Sequence, residues 1–137
     1  MRVMFFTETF VPKVDGIVTV MRLLIDRLTA RGIQTMVAAP RLGDNPPDCY
    51  VQTPIVRPFS VPFPLYPELR LAFPTPRLFN QTRRFNPDVI HLIGPATLGT
   101  GGMLIAQALR KPVITSFHLD YVQLCKHHKV HYLIPLA

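Results

Sequence analysis

The sequence predicts an α/β domain built on an open parallel sheet with helices on both faces. Three observations carry that reading. Uniformly apolar runs such as Val3-Met4-Phe5-Phe6 and Val89-Ile90-His91-Leu92-Ile93 look like strands buried on both sides. Helical periodicity separates the runs, and consecutive parallel strands need such crossovers. The chain has 137 residues, 48% of them apolar, enough for one domain with a real core.

Arg2 to Thr7 reads as the first strand. Thr7 to Gly16 (T-E-T-F-V-P-K-V-D-G) is a polar loop ending in glycine. From Ile17, apolar residues recur at Met21, Leu24 and Leu28, widened by Val20 and Ile25, as on one face of a helix. Gly32 ends that helix, with Arg31 placed for the negative end of its dipole. Gln34 to Ala39 is the second strand, stopped by Pro40. Tyr50 to Val56 reads as a third. Pro54, Pro58, Pro62, Pro64, Pro67, Pro74 and Pro76 then punctuate a segment rich in Phe and Leu. Proline this dense predicts neither a regular ladder nor a helix, but a stiff apolar surface excursion with a role in contact. Arg77 to Phe85 is a helix ended before Pro87. Asp88 to Ile93 is a strand, Leu98 to Leu109 a helix, and Val113 to Phe117 a strand. Asp120 to Tyr132 has helical character.

Net charge is +7 and the isoelectric point about 10.0. That balance suits phosphorylated small molecules or anionic lipid, or an acidic remainder of a larger protein. Nucleic acid is not expected, since no aromatic-studded basic strand or binding motif occurs. The two cysteines, Cys49 and Cys125, form no framework and point to a reducing compartment. No run approaches the roughly 20 apolar residues of a membrane span, so any membrane contact would be peripheral.

Ligands of open α/β sheets sit outside the carboxyl ends of the strands. Three loops lie there: Thr7–Gly16, Gly94–Thr97 and Phe117–Tyr121. Gly16 opens a helix whose first N–H groups favour an anion, and it has no Cβ to obstruct one. A turn glycine with Asp15 as N-cap fits equally. Gly99, Gly101 and Gly102 open a second helix, where close packing on the sheet explains them better than a ligand does. His118 and Asp120 follow the last strand. Imidazole there can donate to a sugar hydroxyl or move a proton, and Asp120 can orient it or cap a helix. Arg70, near Tyr66 in Y-P-E-L-R, suits an anionic head group or a sugar, or a local pairing with Glu68. His127, His131 and Cys125 have a metal-like spacing but no completing cluster, so neither metal nor cofactor is expected. His91, mid-strand, reads as a hydrogen-bonded core residue.

Taken together, T-E-T-F-V-P-K-V-D-G-I-V-T (Thr7–Thr19), P-F-P-L-Y-P-E-L-R-L-A (Pro62–Ala72), F-N-P-D-V-I-H (Phe85–His91), G-P-A-T-L-G (Gly94–Gly99) and S-F-H-L-D (Ser116–Asp120) resemble the family-4 retaining glycosyltransferases of GT-B architecture. The resemblance spans essentially the whole chain. It is nearest to sulfoquinovosyl-diacylglycerol synthases and GDP-mannose-dependent mannosyltransferases. It implies a Rossmann-like domain, the N-terminal half of a GT-B fold over residues 1–137, facing a C-terminal donor domain whose motifs do not occur here. Gly16 would then approach the diphosphate of a nucleotide-sugar donor, and His118 would lie at the reacting sugar. Asp15, Tyr66, Arg70 and Asp120 would line the side of a lipid or sugar acceptor. Transfer would retain anomeric configuration without a metal. The setting would be cytoplasmic, with peripheral contact at the inner membrane face. Two positions depart from the family pattern: Leu119, where a small polar residue is usual, and His128, where tyrosine is usual. The expectation is a domain inactive without its partner domain. The alternatives are a stand-alone module for anionic lipid or phosphorylated sugar, or a decayed fragment.

Overall fold

The computed structural model describes residues 1–8, 10–11, 16–41, 46–64, 66–93 and 97–116. Its elements run β1 (Arg2–Thr7), α1 (Gly16–Ala30), β2 (Gln34–Ala38), β3 (Cys49–Tyr50), β4 (Thr53–Val56), β5 (Ser60–Phe63), β6 (Tyr66–Ala72), α2 (Pro76–Phe85), β7 (Val89–Ile93), α3 (Thr97–Leu109) and β8 (Val113–Ser116). Six strands form one sheet in the order β3-β4-β2-β1-β7-β8. All its pairings are parallel except β3 with β4. This is the expected Rossmann-like α/β architecture.

The central strand explains the layers. Along β1, alternate side chains point to opposite faces. Val3 and Phe5 pack with Val18, Met21 and Ile25 of α1. Met4 and Phe6 pack on the other face with Leu78 of α2 and Leu98, Ile105 and Ala106 of α3. Both cores need apolar residues, so β1 reads as a continuous apolar run. Glycine serves the second core by its absence of a side chain. A Cβ on Gly102 would lie 2.6 Å from Leu92 Cδ2 and 2.8 Å from Phe6 Cγ, and one on Gly101 would lie 2.9 Å from the Pro74 ring. The packing explanation of these two glycines therefore holds.

The caps fix the helix ends. Gly32 takes φ +78°, and Gly32 N–H and Ile33 N–H bond back to Thr29 O and Leu28 O at 3.0 Å each. Thr75 Oγ1 accepts from Leu78 N–H at 3.2 Å and Pro76 takes the first turn. The helix thus starts one residue before the sequence suggested. Asn86 closes it in the left-handed region, φ 52°.

Two expectations are corrected. The third strand over Tyr50–Val56 is instead a tight hairpin, β3 and β4, reversed at Val51 (φ 54°) and Gln52. The proline-rich segment does form a ladder. β5 and β6 pair antiparallel with an irregularity at Pro62/Phe63. A two-stranded ribbon offers each strand one unpaired edge, where a missing N–H costs nothing, and the bulge absorbs the rest. Neighbouring apolar residues keep the base of the ribbon on the domain: Ala72 is fully buried, and Phe73 N–H bonds Phe59 O at 3.0 Å.

Candidate functional site

β1 pairs with β2 on one side and β7 on the other. The chain leaves β1 towards β2 and leaves β7 towards β8, so connections diverge between β1 and β7. Ligands of such sheets bind at that divergence, outside the carboxyl ends. Here those ends carry Thr7-Glu8 after β1, Ile93 at the end of β7 and Ser116 at the end of β8, with the first turns of α1 and α3 above them.

Gly16 is the first residue of α1 and is exposed. Its φ is not left-handed, and a Cβ built on it meets nothing within 4 Å. Neither a turn conformation nor internal packing calls for glycine here, unlike Gly32 and Gly102.

Arg57 organises the same edge from the other side. It follows β4, and its Nη1 donates to Pro40 O at 2.9 Å. Its Nη2 donates to Val11 O at 2.9 Å and Pro47 O at 3.1 Å. One guanidinium thereby ties the loop before α1 to the loops after β2 and before β3. Burial lowers its pKa from the usual arginine value, partly offset by the charge of Asp48. Arg57 also borders a hollow of about 400 Å³ with Arg41, Asp48, Arg77 and Gln81.

Arg70 lies on β6 opposite Pro62. Its Nε donates to Ser60 Oγ and its Nη2 to Ser60 O, each at 3.0 Å. Arg70 thus braces the hairpin through Ser60, and the Glu68 side chain lies outside what the structure describes. Two of the five guanidinium N–H groups serve that strut. Tyr66 opens β6 opposite Phe63. His91 is, as expected, hydrogen-bonded: Nε2 and Ser116 Oγ are 2.6 Å apart, and the ring stands 5.2 Å from that of Phe5. This contact fixes the end of β8, from which His118 follows in sequence. Asp15, His118 and Asp120 lie outside the described residues, as do His127, His131 and Cys125.

Sequence reasoning passed over Glu8. It is 4% exposed, and its Oε1 accepts from Leu98 N–H at 2.5 Å. Burial raises its pKa to about 7, opposed by the N–H groups of Leu98, Ala72 and Gly99 and the Thr97 hydroxyl. Only the Leu98 bond has good geometry. Oε2 is buried without a partner among the described residues, and so is Thr97 Oγ1. The available signal was an acid set directly after a fully buried strand, at the end where ligands bind.

Residues 14–136 match the domain described as Glycosyltransferase Family 4. A GDP-mannose-dependent alpha-mannosyltransferase of Mycolicibacterium smegmatis is 36% identical over 123 residues, 88% of this chain and 33% of that protein. A protein of the same description from Corynebacterium glutamicum is 32% identical over the whole chain and 33% of its own length. An alpha-monoglucosyldiacylglycerol synthase of Streptococcus pneumoniae is 31% identical, covering 88% of this chain and 27% of that protein. The chain therefore spans about a third of the length of these relatives, and it belongs to glycosyltransferase family 4.

Proposed function

We propose that these residues form the acceptor-side wall of a glycosyltransferase cleft. The enzyme would move a sugar from a nucleotide-sugar donor to a lipid or lipid-linked acceptor, with retention. Gly16 carries the reading. It is a glycine that the fold itself does not require, at a helix N-terminus, on the edge of the sheet where ligands bind. A diphosphate approaching there would meet the positive end of the helix dipole and no Cβ. His118, which follows β8 in sequence, would act at the reacting sugar, with Asp15 and Asp120 beside the acceptor. The lipid acceptor rests on the names of the relatives and on the β5–β6 ribbon. Phe59 and Phe73 stack at its base with ring centres 6.3 Å apart, and are 66% and 38% exposed. Arg70 and Tyr66 lie further along the ribbon. No helix among the described residues is long and apolar enough to cross a membrane; in this reading peripheral contact falls to the exposed aromatics of the ribbon.

One wall does not make a cleft. Transfer needs donor and acceptor held in line, which is worth many orders of magnitude in rate. Joining these residues to the remaining two thirds of the M. smegmatis relative, and assaying transfer from GDP-mannose to a lipid extract, tests the reading. The chimera is expected to transfer, the 137-residue chain alone is not, and Gly16→Val in the chimera is expected to lose about 100-fold or more. Transfer by the 137 residues alone, or a folded, donor-binding chimera indifferent to Gly16→Val, would contradict it.

A further inference from the structure

Two helix N-termini face the divergence between β1 and β7, and they are not equivalent. That of α1 begins at Gly16, where a Cβ would meet nothing within 4 Å. That of α3 is occupied from within. The Glu8 side chain leaves the end of β1 and places Oε1 2.5 Å from Leu98 N, in the first turn of α3. The Gly99 N–H and the Thr97 hydroxyl of the same turn, and the N–H of Ala72 at the end of β6, favour the charged carboxyl from nearby without a hydrogen bond of good geometry. We propose that Glu8 is a positioning residue whose carboxyl fills the N-terminus of α3 as a built-in ligand and so holds the end of β1 against that helix.

The assignment is independent of the function proposed above. Helix N–H groups without partners attract anions. At α3 that attraction is met by a side chain fixed to the neighbouring strand, so a free phosphate finds no vacancy there. The foot of the ribbon lies beside the same group. Ala72 is fully buried beside it, and Pro74 two residues on lies against Gly101 of α3, close enough that a Cβ would come within 2.9 Å. One carboxyl thus joins the end of β1 to α3 beside the foot of the ribbon. Among the described residues, every group acting on it is a neutral N–H or hydroxyl, from α3 (Thr97, Leu98, Gly99) and β6 (Ala72), with no charged side chain among them. Its titration therefore reports burial and hydrogen bonding.

Amide NMR of the full 137-residue chain tests the assignment. The Leu98 amide proton is expected to move with a single midpoint well above the ordinary glutamate range. That movement should vanish in Glu8→Gln, which keeps the acceptor oxygen but cannot ionise. In Glu8→Ala, sodium formate, the missing carboxylate in free form, should shift the Leu98 and Gly99 amides saturably, while leaving them still in the parent chain. A Leu98 amide indifferent to pH in the parent, or one that still titrates in Glu8→Gln, overturns the proposal. So does formate perturbing Leu98 in the parent. Should Glu8→Ala fail to fold, the parent titration and Glu8→Gln decide the matter. None of these arms depends on Gly16, so the fate of the diphosphate reading is settled separately.

Discussion

Glu8 and Gly16 make opposite demands on their surroundings, and single substitutions separate them. In the folded chain the Glu8 carboxyl holds its proton up to about pH 7, whereas the ordinary value is 4.5. Unfolding between those pH values releases the proton. Stability from this group is therefore greatest below about pH 4.5, falls as pH rises towards about 7 and is level above that. Glu8→Gln is expected to flatten that decline, a difference on the order of 2–3 kcal/mol across the window. Urea midpoints at pH 5 and pH 8 measure it; an equal decline in the variant would mean that another group carries the slope. Gly16→Ala should do nothing of this kind. With open space at its Cβ position and an ordinary φ, the change is expected to stay within about 0.5 kcal/mol. Any effect on ligand binding would then be local, not a loss of fold.

At the scale of elements, α3 and the loop ahead of α1 show what holds the edge in place. Gly102→Ala gains about 1 kcal/mol of helix propensity. It also drives a methyl into Leu92 and Phe6, both walls of the core. Overpacking of this type costs about 1–3 kcal/mol, so a net loss is expected, read as a lower urea midpoint. A higher midpoint would show that the core yields. Arg57→Lys should loosen the ligand edge, because a single ammonium cannot bridge Val11, Pro40 and Pro47 as the fork does. Faster amide exchange at Val11 with little change at Ile25, deep in the first core, is the expected signature; uniform exchange would place Arg57 in global stability instead. Strands β1, β2, β7 and β8 and all three helices were legible in the sequence, because burial on two faces and helical period leave strong local marks. The β5–β6 ribbon was not. Its pairing depends on which edge each proline faces, and the sequence does not say that only two strands are involved. Glu8 was hidden for a related reason: its partner, Leu98, lies 90 residues away, and only the β1–β7 register brings them together. The Gly32 stop and the His91 hydrogen bond were readable because one is local and the other is demanded by a polar group in an apolar strand.

For the whole molecule, the account sets a ligand-binding carboxyl edge beside an exposed aromatic ribbon on a chain of net charge +7. Vesicles containing anionic lipid are expected to retain the chain. Replacing Phe59 and Phe73 together with Ser should weaken retention more than salt does on neutral vesicles, since burying two aromatic side chains is worth about 1.5–3 kcal/mol each. Retention unchanged by the double substitution would assign membrane contact elsewhere. The opposite, amino edge of the sheet provides an internal control. Met1, Arg2, Gly32, Gln34 and Asp88 border a hollow of about 260 Å³ there, and the account gives it no role. Mapping amide perturbations by GDP over the labelled chain compares the two edges in one experiment. The account predicts saturable shifts largest at Gly16 to Val18, absent at Leu98, and lost in Gly16→Val. Shifts centred on Gly32, Gln34 and Asp88, with Gly16 silent, would contradict it.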